Sequence, residues 1–402
     1  MKGDNMNNKS KMTEISAKPA KEKKLGWQKI AIIVAAVLLV AGLGTFVAIE
    51  LINRNNNSRS EEIVETTADT ENYFESAPKY TLELKDGENK ITEPGVYTIT
   101  GSSNGYIHVN TGDSKVKLIL SGVTIKNSSG AAIYVESNGN VHIETVGENN
   151  LSVTATEDID AAIYSKADLV FKGDGTLNIE SSIDGIHGKD DVKIKSGTIN
   201  VTATEDGIKG KDSLTIEGGD ITVSAGDDGL KASNDEEEDK GILTISGGNV
   251  IVKKSSEAIE AAQINITGGN IDVTSTDDGI NAAADFCSQK AMAPTGDPNI
   301  TVCKISISGG TIKVTAGGDG LDANGSIYTS GGTIEINSPT SFGDSAIDYD
   351  GVFENTGATI TTNDTSGSAG QNMNQNMGPG GQAQPQGAPS EQAQPQMRRM
   401  RN

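Results

Sequence analysis

Aromatic residues make up only 4% of this 402-residue chain, with one tryptophan, and there are just three histidines and two cysteines. A large core built around aromatic rings is therefore excluded. Basic residues are outnumbered: 33 Lys and Arg stand against 55 Asp and Glu, for a formal charge of −22. Nucleic acid, which needs a basic surface, is excluded as a partner. The acidic balance favours cations instead, metal ions above all. Familiar catalytic strings are missing as well. No H-E-x-x-H, P-loop, C-x-x-C or EF-hand spacing occurs, nor the glycine-rich nonapeptide that binds calcium in secreted toxins. Gly101-Ser102-Ser103-Asn104-Gly105 matches G-x-S-x-G, but a nucleophile elbow needs a helix after it and here the strand-like YIHV follows.

What the chain has in abundance is glycine, 48 residues, and an uneven distribution of charge. Residues 1–59 are net +6 and residues 60–402 net −28. Residues 30–52 form an apolar run with one charge, Glu50, near its far end. At about 1.5 Å per residue it is roughly 35 Å long, enough to cross a hydrocarbon core of about 30 Å. Eight lysines precede it and only Arg54 and Arg59 follow closely, so the positive-inside rule places residues 1–29 in the cytoplasm and the rest outside. The run reads as a transmembrane signal anchor. A cleaved signal peptide is the alternative, but the run is long for one and no A-x-A site follows. Residues 53–78 read as an exposed stalk, and 362–402, rich in Gln, Asn, Gly and Pro, as a disordered tail.

Between them lies a repeat. Residues 184–205 and 206–227 are consecutive 22-residue units, each opening on Asp-Gly-Ile. Related units begin near Ala131, Ala161, Asp228, Glu257, Asp278, Asp319 and Ser345. A period of this size marks a solenoid. Each unit holds three short stretches of alternating apolar residues, such as Leu214-Thr215-Ile216 and Ile221-Thr222-Val223, often with a glycine pair between the last two. Alternation of period two means one buried and one wet face. The expected fold is all-β: a parallel β-helix over residues 79–361 with about 22 residues per coil and a roughly triangular section. Glycines are expected at corners that need positive φ.

Stacking such units aligns acids. Asp184, Asp206, Asp228, Glu257, Asp278 and Asp319 share one column, and Asp160, Glu205, Asp227 and Asp277 occupy the position before it. Two carboxylates a coil apart, about 4.8 Å, repel by about 3–4 kcal/mol at an effective dielectric of about 20. A hard cation relieves this, and Ca2+ with its six to eight oxygen ligands suits such a ladder. The competing explanation is that Asp-Gly is simply good turn chemistry. It accounts less well for acids in two adjacent columns. The outward residue of the first stretch forms a second row: Tyr134, Tyr164, His187, Lys209 and Lys231, then Glu260, Asn281, Asp322 and Asp348. An extended polymer fits along it, with lysines for uronate carboxylates and tyrosines for sugar rings, although a plain solvated face explains the same residues. His108 and His142, in alternating stretches, read as ordinary strand residues. Cys287 and Cys303 are a candidate disulfide in a long insert, a closure of about 3 kcal/mol.

The opening ITEPGVYTITGSSNGYIHV, the stretch KVKLILSGVTIKNSSGAAIYV and the recurring DGI units followed by glycine pairs resemble a family of clostridial surface proteins, the carbohydrate-binding β-helix domains, related in fold to pectate lyases. The resemblance covers about residues 80–360. It implies a right-handed parallel β-helix, bound calcium on the Asp column, and binding of plant cell-wall polysaccharide such as cellulose or acidic pectin. The cysteine insert and the acidic run Asp235–Asp239 depart from the family pattern. The expected function is a non-catalytic, membrane-anchored, cell-surface polysaccharide binder stabilised by calcium. A calcium-dependent pectate-lyase-like enzyme, with Lys209 or Lys231 as base, is the first alternative and a structural stalk the second.

Overall fold

The computed structural model describes residues 67–136, 139–287, 303–339 and 344–363. The apolar segment 30–52, most of the stalk and the tail beyond 363 lie outside the described residues. Among the described residues no helix is long and apolar enough to cross a membrane.

The described strands wind as a solenoid in which, from residue 133 onward, each strand of a coil lies parallel to its counterpart three elements on. On the first face β11 (Asp184–Gly188) pairs with β14 (Ile208–Gly210), and β14 with β17 (Leu230–Ala232). The same face continues through β20 (Ile259–Ala261), β23 (Ile280–Ala282) and β26 (Leu321–Ala323) to β29 (Ile347–Tyr349). On the second face β12 (Asp191–Ile194) pairs with β15 (Ser213–Ile216), and on the third β13 (Thr198–Ala203) with β16 (Asp220–Ser224). Identical registers put like on like. Ile186, Ile208, Leu230, Ile259, Ile280 and Leu321 form one inward stack, each with no exposed surface. Each such side chain contributes about 1.5–3 kcal/mol of burial, which explains how so aromatic-poor a chain builds a continuous core.

The long units do not disturb this register. Leu230 still faces Ile259 across the acidic insert, and Ile280 faces Leu321 across the cysteine insert, so both insertions leave the coil at a corner. Cys287 and Cys303 form a disulfide with Cα atoms 5.9 Å apart, packed with Phe286 and Ala262 outside the main core.

The positive φ expected at corners falls on the second glycine of each pair (Gly219, Gly248, Gly269, Gly310, Gly332), while the glycine of the repeated Asp-Gly, from Gly185 onward, has none. The latter is required by close approach: a Cβ on Gly207 would stand 2.3 Å from Val223 Cγ1 and 2.5 Å from the Gly229 carbonyl oxygen. Residues 67–76, expected within the stalk, form a helix, α1 (Thr67–Ser76). Its Phe74 is buried against the His142 ring at 4.8 Å and beneath the Lys117 ammonium, also at 4.8 Å. The local sequence is polar, so this one ring anchors the helix, and the polar composition of the segment hid it.

Candidate functional site

The strand registers place the column acids at the corner where the third face turns into the first. There Asp184, Asp206, Asp278 and Asp319 share a structural task. Oδ1 of Asp184 accepts the backbone N–H of Asp206 at 2.9 Å, Oδ1 of Asp206 that of Asp228 at 3.1 Å, and Oδ1 of Asp278 that of Asp319 at 2.7 Å. Thus one oxygen of the aspartate ties its coil to the next, satisfying a donor that the bent corner would leave unpaired. The other oxygen is left for a cation.

In the middle coils that cation is lysine. Lys209 Nζ lies 2.8 Å from Asp184 Oδ2 and 2.7 Å from Asp206 Oδ2. Lys231 bonds Asp228 and lies 2.5 Å from Glu260. Burial works against the ammonium form, but the paired carboxylates outweigh it and raise both lysine pKa values. Even so, burial pushes Asp184 up to about 6 against the pull of Lys209. Asp228 is raised too, by burial and by its hydrogen bond to Glu260. His187, 3% exposed, sits 2.7 Å from Asp160 and 3.4 Å from Asp184, and burial lowers its pKa. Asp160 is lowered: burial opposes its charge, and the His187 bond with nearby lysines overcomes that.

The later coils keep the acids and lose the lysines. Next to Glu257, Asp278 and Asp319 the outward row carries Asn281 and Asp322. Burial and the charge of Asp228 push Glu257 up to about 7. Burial and the surrounding carboxylates bring Asp322 to about 7 and Asp278 to about 6. Asn281 donates to Glu257 at 3.0 Å, while its own Oδ1 is buried with no donor. Ligand atoms of Asp160, Asp184 and His187, of Asp206, Asp227 and Asp228, and of Asp228, Glu257 and Glu260 each converge within 4.8 Å. Glu205 and Asp277 are exposed, and neither they nor Asp278 and Asp319 join any of these groups.

The outward row is continuous, as the register of His108, Tyr134, Tyr164, His187, Lys209 and Lys231 requires. Its rings contact one another: His108 stacks on Tyr134 at 5.1 Å, Tyr134 and Tyr164 are 6.0 Å apart, and Tyr164 meets His187 edge-on at 5.6 Å. His108 is more than a strand residue. It lies 2.6 Å from Glu88 and 3.0 Å from Glu136, lowering the pKa of both. Sequence reasoning missed three other residues. Lys166, Lys189 and Lys211 follow the row one per coil, at the far end of the first face. Lys166 stands 5.9 Å from the Tyr134 ring and Lys189 5.5 Å from the Tyr164 ring, and both are exposed. The available signal was the fixed offset of two residues from Tyr164, His187 and Lys209.

A family model described as "Carbohydrate-binding domain-containing protein" matches residues 85–345, well over half of the chain. The chain belongs to that family. A family relative of the same description from Acetivibrio thermocellus is 38% identical over 126 residues, 28% of this chain and 44% of its own. The chain therefore spans less than half the length of that curated relative. A solved structure described as the polysaccharide lyase-like protein from C. thermocellum, a gadolinium derivative, is 26% identical with a TM-score of 0.47, covering 69% of this chain and 98% of that one.

Proposed function

We propose that this β-helix is a non-catalytic polysaccharide-binding module, held outside the cell by residues 30–52, that grips an anionic plant cell-wall polymer such as polygalacturonate along its first face. The right-handed winding implied by the family resemblance belongs to the same reading. The observation that carries it is the ladder of Lys166, Lys189 and Lys211, one coil apart beside the Tyr134, Tyr164 and His187 row. Repeating ammonium groups at about 4.8 Å spacing match a polymer with a carboxylate on every unit. Lys209 and Lys231 back this strip from beneath, because both are committed to carboxylates. That commitment also weighs against lyase chemistry. A base must be unprotonated, and these two are held as ammonium ions.

Calcium completes the reading in the later coils. Glu257, Asp278, Asp319 and Asp322 follow one another along this corner, and the Asn281 oxygen among them has no donor, so every group offered there is an oxygen of the kind a hard cation takes; ligand atoms already converge within 4.8 Å at Glu257, with Asp228 and Glu260. A bound ion would supply the positive charge that lysines supply in the middle coils. Asp160, Asp184, Asp206, Asp227 and Asp228 are less free for it, being engaged by His187, Lys209 and Lys231 or next to residues that are.

Affinity electrophoresis in gels containing polygalacturonate or a neutral glucan, run with calcium and with EDTA, tests the proposal. Retardation by polygalacturonate that Lys166→Ala with Lys189→Ala abolishes is expected. Ultraviolet absorbance from unsaturated product would instead identify a lyase, and no retardation by any glycan would leave a stalk.

A further inference from the structure

The acid-column corner changes character in the first coils. Stepping two residues back from the aligned Ile186, Ile163, Ile133 and Ile107 gives Asp184, Ala161, Ala131 and Gly105, and Gly105 in turn pairs with Gly87. The column that carries carboxylates in later coils therefore holds Gly and Ala here: Ala131 and Ala161 are buried, and Gly105, with its partner Gly87, borders open space. A cleft of about 490 Å3 opens at this point, the larger of two notable ones on the described residues. It lies within the about 300–1,000 Å3 of ordinary small-ligand sites.

The cleft owes its shape to loop lengths. In the second coil β3 (Gly95–Val109) rounds the corner at Asn104-Gly105 without a loop. A Cβ on Gly105 would stand 2.0 Å from the Gly87 carbonyl oxygen, so the floor is backbone pressed on backbone. In the next coils loops follow at this corner, and their first residues, Ser128, Ser129 and Thr154, form the wall. The lining is amide, hydroxyl and one ring: Asn104, Tyr106, Lys126, Asn127, Ser129 and Ser152 among it. Several are held in place. Asp86 Oδ1 accepts from the Asn104 backbone N–H at 2.7 Å and from its amide at 3.3 Å. Asn127 donates to the Ala131 carbonyl at 2.7 Å and accepts from the Ser129 backbone at 3.1 Å. No carboxylate lines the cleft.

We infer that this cleft is a second saccharide site, distinct from the lysine strip, that takes a neutral pyranose oligomer. Its hydroxyl and amide groups both donate and accept, as sugar hydroxyls do. Tyr106 offers an aromatic wall for the apolar side of a sugar ring. Lys126 supplies a single ammonium donor, too little for a polymer charged at every unit. The inference rests on the polysaccharide-binding reading but concerns a different ligand and different residues.

The test is titration calorimetry of the full-length chain with a galacturonate hexamer and with β-1,4-linked glucose, xylose and mannose hexamers. At least one neutral hexamer is expected to bind. Ser129→Trp, which fills the cleft from an exposed loop, and Asn104→Ala are each expected to weaken it at least tenfold while leaving galacturonate affinity within twofold. Circular dichroism confirms that both variants fold. The inference is overturned if no neutral hexamer binds, if both variants bind it as the parent does, or if Ser129→Trp removes galacturonate binding instead. A parent chain that binds a neutral hexamer in the cleft but no galacturonate sinks the lysine strip and leaves this site standing.

Discussion

Asp184 and Asp206 each carry two loads, a backbone bond to the next coil and a lysine, and substitutions separate them. Asp206→Ala leaves the Asp228 backbone N–H without its acceptor, which costs about 1–3 kcal/mol. Asp206→Asn keeps a side-chain oxygen at the same place and is expected to cost less, as urea denaturation of the two variants will show. Lys209→Met removes the counter-charge of Asp184, a carboxylate with 1% exposure. Stranding a buried charge costs about 3–5 kcal/mol. The double variant Asp184→Asn with Lys209→Met should recover part of that loss, and simple additivity of the two single variants would show that the pair is not coupled. Turn chemistry alone thus misses the cross-coil bond of Asp-Gly. In the middle coils the repulsion that the spacing implies is relieved by lysines, which arrive from the neighbouring row only once the coils are stacked.

At the scale of the coil corner, the later acids set a pH dependence. Asp184 and Asp278 titrate near 6, and Glu257 and Asp322 near 7, against ordinary values of 3.8 and 4.5. A raised carboxyl means that the folded chain holds more protons than the unfolded one. Its contribution is complete below about pH 4 and is lost as pH rises through 6 to 7. Asp160, Glu88 and Glu136, which are lowered, act oppositely and lose their contribution as pH falls below about 4. In EDTA the melting temperature is therefore expected to peak near pH 4 and to fall by several degrees towards pH 8, at about 2–4 °C for each kcal/mol. If calcium occupies the Asp278 corner, its addition raises the melting temperature more at pH 8 than at pH 5, because it competes with those protons. A flat profile in EDTA would contradict the crowding of acids described here.

Across the whole molecule, the solenoid tolerates insertions because every coil closes on its own three strands and contacts only its neighbours. The acidic and cysteine inserts leave the inner stacks in register. The disulfide therefore stabilises the base of its own insert, and its reduction is expected to cost no more than the about 3 kcal/mol of loop closure while leaving the far-ultraviolet dichroism intact. Loss of the β signal on reduction would show that the insert holds the rod together. Glycan binding by the lysine strip should likewise survive reduction, since Lys166, Lys189 and Lys211 lie in earlier coils.

The sequence by itself determined the coil period, the coil starts, the acid column and the outward row beside it, because a parallel solenoid turns a linear period directly into vertical neighbours. Residue pairs such as Ile208 and Leu230, or His187 and Lys209, needed no further information than their offset. Only the tertiary structure decided which side chains neutralise the acids, that Phe74 fastens a helix to the outer wall, and where a corner stands open. Those outcomes depend on the reach of long side chains between rungs and on the relative lengths of loops at one corner, quantities that a period does not encode.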